Sequence, residues 1–306
     1  MSASATLLAA DLGKTRLRLQ AVTADGAVLA ETTGAGLAGA ASSSPDAIAA
    51  AVVAARDELG IDTQGLGLSL GVAGTLAAPE RGRAIADALA QALRTPITVT
   101  SDLIAAHLGA FAGATGTVLI AGTGAVGLGL GPDGELLQSD GWGPELGDFG
   151  SGAWIGRAGI QAVLAARDGR GPASAALDAA LNTLVPADQV IAWVHASENP
   201  AGTCGTFAPA VLAAAEAGDA VATAIAQEAA VHLATTAARA SVHLDTPAPV
   251  AVLGGLTGHP WFAALLNEEL SVADLHPVAP QHTALVGAVL LAEHHDLPHE
   301  RHTHRA

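Results

Sequence analysis

The sequence is poor in aromatic, basic and sulfur-containing residues. Its 306 residues include no tyrosine, and the aromatic share is only 3%. A single cysteine, Cys204, excludes an internal disulfide and a thiolate metal cluster, as is usual for proteins of a reducing cytoplasm. Lysine and arginine total 13 against 29 aspartate and glutamate residues, which gives a formal net charge of −16. Because such a charge repels nucleic acid and anionic membranes, we expect neither as a partner.

Long apolar runs and targeting signals are also missing. No basic stretch precedes the short apolar segment near the N-terminus, so the sequence does not predict a signal peptide. The most apolar window, Thr117–Gly131, is too short and too rich in glycine for a transmembrane helix. Half of the residues are hydrophobic and only 14% are charged, which excludes a largely disordered chain. We therefore expect a cytoplasmic protein of about two domains.

Predicted strands and helices follow one another in an order that repeats along the chain. The first part predicts β-β-β-α-β-α-β-α, from a buried strand over Ala5–Asp11 to a helix over Leu103–Phe111. At Gly116 the pattern starts again with an apolar strand, a hairpin with an Asp-Gly turn, and then mostly helices. No close sequence repeat accompanies this order, which is typical of a duplicated domain whose sequence has diverged. The boundary is expected near Ala112–Gly116, a natural linker.

An acidic residue and a glycine turn end the first predicted strand. Asp11 is followed by Gly13, Lys14 and Thr15, and Lys14 is the only lysine of the chain. A carboxylate there can face hydrated Mg²⁺, while the glycine backbone and the threonine hydroxyl can donate hydrogen bonds to phosphate oxygens. An ordinary hairpin turn accounts for the same residues, so the pattern alone leaves both interpretations open.

Two further glycine turns lie in the second half of the chain. Gly122, Thr123 and Gly124 form the turn that is equivalent to the first one, and two such turns could bind a triphosphate from both sides. Gly254 and Gly255 follow a later strand and could let a flat base lie against the backbone. The alternatives are a glycine-rich turn between buried strands and a plain strand-to-helix turn.

Asp102 follows the predicted strand Ile97–Thr100 and begins a helix. Aspartate at a helix start is often only an N-cap. Its place at the carboxyl end of a strand, just before the boundary between the halves, equally suits a base that takes a proton from a substrate hydroxyl. The spacing leaves both roles open.

The segment Gly141–Gly152 is rich in glycine and contains Trp142 and Asp148. So many glycines leave little capacity for packing, while the tryptophan and the apolar helix that follows disfavour a floppy loop. The segment therefore predicts an irregular polar loop that fits around a ligand.

Together these motifs resemble the N-acetylglucosamine kinase group of the BadF/BadG/BcrA/BcrD-type ATPases, within the actin, sugar kinase and Hsp70 superfamily. The resemblance covers essentially the whole chain. The turns after Asp11 and at Gly122 are similar to the two phosphate motifs of that family, and Leu253–Gly255 is similar to its adenosine motif. The most specific match, Gly141–Gly156, resembles the loop on the sugar side of the site.

The resemblance implies an α/β fold of two RNase H-like, or actin-like ATPase, lobes with a cleft between them. One lobe would span residues 1–112 and include a C-terminal helix at about 283–295, and the other would span residues 113–282. Residues 296–306, which are rich in histidine, are expected to form a flexible tail.

The resemblance also implies an ATP-dependent kinase that uses Mg²⁺. Asp102 falls at the family's catalytic aspartate and would accept the proton of the sugar hydroxyl, O6 of N-acetylglucosamine, as that oxygen attacks the γ-phosphorus. Mg²⁺ would lie near Asp11, through water. The implied ATP-binding residues are Gly13, Lys14, Thr15, Gly122, Thr123, Gly124, Gly254 and Gly255, and the implied sugar-binding residues are Asp102, Gly141, Trp142 and Asp148. A homodimer is left open.

Two positions depart from the family pattern. Phe149 stands where members often carry glutamate, and Val126 replaces an asparagine that helps to hold the sugar. The sugar is therefore open, with glucosamine, N-acetylmuramate or another hexose derivative as alternatives to N-acetylglucosamine.

Three other functions fit this sequence less well. An activator ATPase for a dehydratase binds an iron–sulfur cluster with two cysteines from each subunit, and Cys204 alone cannot supply them. A sugar-sensing repressor needs a DNA-binding module and a basic face. A homologue that binds sugar or nucleotide without catalysis is disfavoured by the presence of both Asp11 and Asp102.

Overall fold

A computed structural model describes residues 4–13, 16–24, 26–36 and 44–306 of the chain. The strands are β1 (Leu7–Leu12), β2 (Arg16–Val22), β3 (Val28–Ala35), β4 (Gly67–Val72), β5 (Ile97–Thr100), β6 (Gly116–Ala121), β7 (Ala125–Leu130), β8 (Leu136–Asp140), β9 (Ala248–Leu253), β10 (Leu275–Val278) and β11 (His304–Arg305). The α-helices are α1 (Pro45–Asp57), α2 (Pro79–Leu93), α3 (Asp102–Phe111), α4 (Gly152–Arg167), α5 (Ala175–Leu184), α6 (Val190–His195), α7 (Pro200–Gly205), α8 (Ala208–Glu216), α9 (Ala220–Ala240), α10 (Pro260–Val272) and α11 (Ala284–Glu293).

The chain divides into two compact units, each with one β-sheet. The first unit comprises Met1–Thr115, Pro132–Glu135 and Pro280–Ala306, and the second comprises Gly116–Gly131 and Leu136–Ala279. The sheet of the first unit has the strand order β11-β5-β4-β1-β2-β3, and that of the second has the order β10-β9-β6-β7-β8. Each unit combines a β-sheet that contains parallel strand pairs with α-helices, so the predicted α/β class is confirmed.

The first unit is held together by aliphatic side chains on both faces of its central strands. β1 pairs in parallel with β4 and antiparallel with β2, and β4 pairs in parallel with β5. Such strands are buried on both faces, which explains the nearly continuous apolar sequence of Leu7–Leu12. Fully buried side chains of this core include Leu8, Leu19, Leu70 and Ile85. The parallel pairing brings the carboxyl ends of β1, β4 and β5 to one edge of the sheet.

Helices α3 and α11 pack closely because glycines remove side chains from their contact. A Cβ atom added at Gly287 would lie 2.6 Å from the backbone nitrogen of Gly109, and one added at Gly109 would lie 2.7 Å from the carbonyl carbon of Thr283. The C-terminal helix is thereby fixed against the helix that begins at Asp102.

The expectation of a flexible tail at residues 296–306 is wrong for this structure. Pro298–His302 forms a 3₁₀ helix, and β11 pairs antiparallel with β5. The guanidinium of Arg305 forms an ion pair with Glu300 at 2.7 Å. His299 is fully buried, and its Nε2 lies 3.0 Å from Nδ1 of His107. The composition of residues 296–306 indicates a solvated segment, but the pairing of β11 with β5 and the burial of His299 give this segment a defined structure.

The charge state of His299 follows from its surroundings. Burial lowers the pKa of His299 to about 3, and the neighbouring His107 and His302 contribute to this shift. The side chain is therefore neutral at ordinary pH, which suits its place in the packed interior of the first unit.

The second unit packs its helices around a small sheet. β6 pairs in parallel with β9 and antiparallel with β7, which continues antiparallel to β8. Its core includes the fully buried side chains of Leu119, Ile155, Phe207, Leu233 and Phe262. Because β6 and β9 are parallel, with Ile120 level with Leu253, the turns after both strands lie at one edge.

Over the described residues, no single helix is long and apolar enough to cross a membrane. The segments Pro200–Glu216 and Ala220–Ala240, bent by 113°, meet that criterion only jointly, and by length and composition alone.

Candidate active site

Asp11 and Asp102 meet at the carboxyl edge of the sheet of the first unit. The strand register places Asp11 level with Gly71, and Gly71 level with Thr100, the last residue of β5. Gly71 makes room for the start of α3, because a Cβ atom added there would lie 3.2 Å from the Cα of Asp102. The register of three strands, together with this glycine, brings two half-buried carboxyl groups, far apart in sequence, into electrostatic contact.

Their proximity disfavours the charged form of Asp11. Burial and the negative charge of Asp102 raise the pKa of Asp11 from its ordinary value of 3.8 to about 6, and Arg18 opposes the shift. A divalent cation beside this pair would relieve the repulsion, and carboxylate oxygens are ligands that Mg²⁺ prefers.

The donor set fits the way in which proteins hold Mg²⁺. Mg²⁺ commonly takes one or two carboxylates and completes its shell with water and substrate phosphates. No group of three or more histidine, cysteine, aspartate or glutamate side chains in the described part of the chain could hold a metal ion by itself. Asp11, with Asp102 beside it, supplies the one or two carboxylates that such a Mg²⁺ site needs.

The helix start at Asp102 has its own capping residue. Ser101 is the N-cap of α3, and its Oγ accepts a hydrogen bond from the backbone nitrogen of Leu103 at 3.2 Å. Asp102 is the first helical residue, and its Oδ1 accepts from the same nitrogen at 2.8 Å and from Ser101 Oγ at 3.1 Å. The cap position therefore belongs to Ser101, while the role of Asp102 as a base stays a prediction.

The first predicted phosphate turn is described only in part. Gly13 follows β1, and its backbone nitrogen donates to the carbonyl oxygen of Arg16 at 3.0 Å, which closes the turn between β1 and β2. Lys14 and Thr15 lie outside the described residues.

The second predicted phosphate turn is joined to the start of α4. The nitrogen of Gly122 donates to the carbonyl of Gly124 at 3.0 Å. The carbonyls of Gly122 and Thr123 accept hydrogen bonds from Gly152 at 2.7 Å and from Ala153 at 3.2 Å. The turn and the amino end of a long helix thus form one unit, a place that favours negative charge.

The third glycine motif lies directly beside this turn. Gly254 has a φ of +117°, and a Cβ atom added there would lie 2.5 Å from the carbonyl oxygen of Ala121 and 2.9 Å from the nitrogen of Gly122. Gly255, by contrast, has no atom within 4 Å of an added Cβ. The first glycine is needed for the close approach of two turns, and the second leaves open space.

That open space belongs to a pocket of about 410 Å³ in the second unit. Its walls are mostly backbone and small or aliphatic side chains, with Thr123 and His259 as the polar members. The lining residues are Gly122, Thr123, Gly152, Gly205, Ala208, Pro209, Leu212, Gly255, Leu256, Gly258 and His259. A mostly apolar pocket that adjoins a glycine turn suits a flat heterocycle linked to phosphates.

The two glycines predict different effects of the same substitution. Gly254→Ala should destabilise the protein, because both the positive φ and the contact with Ala121 oppose a methyl group. Gly255→Ala should leave the melting temperature unchanged and weaken binding of a nucleotide several-fold, because its methyl group would enter the pocket. Thermal unfolding and calorimetric titration with ATP check both. If Gly254→Ala and Gly255→Ala lowered the melting temperature equally, the space beside Gly255 would not be open.

Asp148 lies beside the second predicted phosphate turn. It is 7% exposed, and a Cβ atom added at Gly124 would lie 2.8 Å from its Oδ2. Trp142, in the same loop, is 73% exposed. Gly141 lies against Val126, since an added Cβ would be 2.9 Å from the Cγ2 of that valine. Of the loop residues that the sequence singles out, Asp148 is therefore the one that the structure buries beside the turn.

Several features of the site are not predicted by the sequence pattern. Small residues of α7 and α8 line the pocket, and alanine or glycine in a helix looks the same wherever it lies. Asp140, which ends β8, was not singled out, although the Asp-Gly pair that it begins is a turn signal.

Comparison with known proteins gives the family of the chain. Residues 10–292 match the sequence model of the BadF/BadG/BcrA/BcrD ATPase family. The chain is 39% identical to an N-acetyl-D-glucosamine kinase of Dictyostelium discoideum over 82 residues, 26% of each protein. It is 35% identical to the glucosamine kinase GspK of Vibrio cholerae over 124 residues, 40% of this chain and 41% of that one. These matches span less than half of either relative.

Solved structures resemble the chain over nearly its full length. A Chromobacterium violaceum protein, described as a candidate N-acetylglucosamine kinase, has a TM-score of 0.73 at 29% identity and covers 93% of this chain and 98% of its own. A ROK family glucokinase of Streptomyces griseus, in complex with glucose and AMPPNP, has a TM-score of 0.60 at 20% identity, with coverages of 94% and 98%. The second likeness concerns the fold alone. Since the family match extends over residues 10–292, the protein belongs to the BadF/BadG/BcrA/BcrD ATPase family.

Proposed function

We propose that this protein is an ATP-dependent kinase that phosphorylates an amino sugar. The observation that carries the proposal is the pair Asp11 and Asp102 at the carboxyl edge of a parallel sheet. One carboxylate suits a cation bound to phosphate, and the other starts a helix where it can accept a proton. The names of two relatives, an N-acetyl-D-glucosamine kinase and a glucosamine kinase, support the substrate class.

The proposed reaction is in-line phosphoryl transfer. Asp102 accepts the proton of the sugar hydroxyl while that oxygen bonds to the γ-phosphorus of ATP and the bond to the leaving ADP oxygen breaks. Mg²⁺, when bound near Asp11, supplies positive charge to the phosphate oxygens. The segments Gly13–Thr15 and Gly122–Gly124 would donate hydrogen bonds to the phosphates, through backbone amides that are not used within the turns and through the side chains of Lys14, Thr15 and Thr123. Catalysis here consists mainly of positioning and charge stabilisation.

The glycine turns of the second unit support a nucleotide site there. Gly254 and Gly255 border the pocket that would take the adenosine, and the turn Gly122–Gly124 continues from it toward the phosphates. Binding of Mg-ATP, measured by calorimetry with and without sugar, tests this step. Absence of binding in both conditions would overturn the kinase proposal.

The proposed sugar is N-acetylglucosamine, phosphorylated at O6 and bound by Asp102 together with Gly141, Trp142 and Asp148 of the loop. The alternatives are glucosamine, N-acetylmuramate or another hexose derivative, because Val126 and Phe149 depart from the family pattern. Phe149 is 46% exposed, and its ring lies 5.3 Å from that of His232.

A coupled assay of ADP release over a panel of these sugars and of plain hexoses identifies the substrate. We expect the highest kcat/KM for an amino sugar, with the phosphorylated oxygen located by phosphorus–proton NMR of the product. Binding of ATP without turnover of any sugar would instead support a non-catalytic homologue.

A further inference from the structure

The loop after β8 has an unusual backbone. Positive φ angles occur at Asp140 (60°), Gly141 (81°), Gly143 (89°), Asp148 (55°) and Gly150 (79°). Glycine adopts such angles readily, whereas for aspartate they are unfavourable and are commonly offset by local hydrogen bonds. Two aspartates with positive φ at the two ends of one loop therefore point to a stabilising contact.

That contact is the carboxylate of Asp140. Its Oδ1 accepts hydrogen bonds from the backbone nitrogens of Gly141 and Asp148, both at 2.8 Å. Its Oδ2 accepts from the nitrogen of Phe149 at 3.0 Å. Hydrogen bonds from backbone N–H groups to a charged carboxylate are stronger than those to a neutral acceptor. One half-buried side chain thus joins the two ends of the loop.

The loop closes tightly around this carboxylate. A Cβ atom added at Gly147 would overlap Oδ1 of Asp140 and lie 3.0 Å from the Cβ of Trp142. The nitrogen of Gly147 donates to the carbonyl of Gly143 at 2.7 Å, and Nη1 of Arg157 donates to the carbonyl of Pro144 at 2.8 Å. The glycine at position 147 is therefore what allows the backbone to reach Asp140.

The two amides held at the far end of the loop belong to Asp148 and Phe149. The carboxylate of Asp148 lies beside Gly124 in the turn that is proposed to bind phosphate. We propose that Asp140 is a positioning residue: by fixing the backbone at positions 148 and 149, it holds the carboxylate of Asp148 where the sugar binds. This inference rests on the proposed function in taking the loop as the sugar side of the site.

Two substitutions of Asp140 test the inference. Asp140→Gly accepts the positive φ and removes the carboxylate, while Asp140→Asn keeps one oxygen acceptor and loses the charge. Asp62→Asn is the matched control, because Asp62 Oδ1 accepts from the nitrogen of Gln64 at 2.9 Å in an exposed turn of the first unit.

Amide hydrogen exchange reports the loop directly. In Asp140→Gly we expect the amides of Asp148 and Phe149 to exchange at least about tenfold faster, with Asp140→Asn intermediate and the control unchanged. KM for the sugar should rise about tenfold in Asp140→Gly, while KM for ATP stays within about twofold. If the KM for sugar of Asp140→Asn also lies between those of the parent and Asp140→Gly, the effect follows the number of hydrogen bonds that hold the loop. A general loss of folding would not raise the KM for sugar selectively.

Two results would overturn the inference. One is unchanged exchange at Asp148 and Phe149 in Asp140→Gly. The other is an equal rise of both KM values together with a fall in Tm, which would show a structural role alone. If the wild-type protein phosphorylates no sugar, the proposed function fails separately, and the exchange rates still decide whether Asp140 holds the loop.

Discussion

Asp102→Asn should lower kcat by about 10²–10⁴-fold and leave the affinity for ATP nearly unchanged. The amide has almost the size of the carboxyl group but cannot accept the hydroxyl proton. The helix should survive, because its N-cap is Ser101 and because asparagine keeps a side-chain oxygen that can accept from the Leu103 amide. Steady-state kinetics with the preferred sugar, and calorimetry with Mg-ATP, measure the two effects separately.

Ser101→Ala is the matched control for this prediction. It removes one of the two oxygens that accept from the Leu103 amide, together with the hydroxyl that donates to Asp102, while the carboxylate of Asp102 remains, so the protein should lose at most about 1 kcal/mol of stability and kcat should fall far less than in Asp102→Asn. If Asp102→Asn kept kcat within a few-fold of the parent, Asp102 would not be the base. The assignment would then move to Asp148, the buried carboxylate beside the turn Gly122–Gly124.

The order of the elements in the first half could be predicted because its pattern is local. Apolar runs such as Leu7–Leu12 and Ile97–Thr100 are bounded by turn residues, and the structure has the predicted order β-β-β-α-β-α-β-α. The second half was harder. The local pattern does not predict α10 or β10, which complete the unit by packing against α9 and β9. β11 is only two residues long and depends on pairing with β5, which composition cannot reveal.

The candidate site was predictable where it depends on strand ends. Asp11 and Asp102 both lie where a strand leaves the sheet, and parallel pairing is enough to bring such ends together. The role of Gly71 was not predictable, because it follows from the register of β4 with β1 and β5. Asp140 was missed for a related reason. β8 extends to Asp140 because this residue pairs with Val126 of β7, and that long-range register, which the sequence does not show, delivers the carboxylate of Asp140 to the start of the loop.

Asp11→Asn should make the protein more stable at neutral pH and a poorer enzyme. The pKa of Asp11 in the folded protein, about 6, lies above its ordinary value of 3.8. Below about pH 4 the carboxyl group is therefore protonated in both the folded and the unfolded protein, and it does not lower the free energy of unfolding. As the pH rises toward 6, the unfolded chain ionises first, and the native protein loses stability. Asparagine removes this loss, so the variant should gain about 1–3 kcal/mol relative to the parent, a gain that appears between about pH 4 and 6 and persists at pH 7.

Asp11→Asn should also weaken the binding of Mg²⁺ at the phosphates of ATP. The asparagine side chain would keep an oxygen but lose the negative charge that suits a cation, and a change at a residue that binds Mg²⁺ through water lowers metal affinity by about 10–100-fold. Urea unfolding from pH 4 to 8 and titration of activity with Mg²⁺ measure the two effects, with Asp62→Asn in an exposed turn as the control.

Each effect has an outcome that would contradict it. A stability difference between the variant and the parent that does not change with pH would mean that burial and Asp102 do not raise the pKa of Asp11. An unchanged Mg²⁺ requirement would remove Asp11 from the metal site. Both effects together would show that the protein keeps an unfavourable pair of carboxylates for the sake of its reaction.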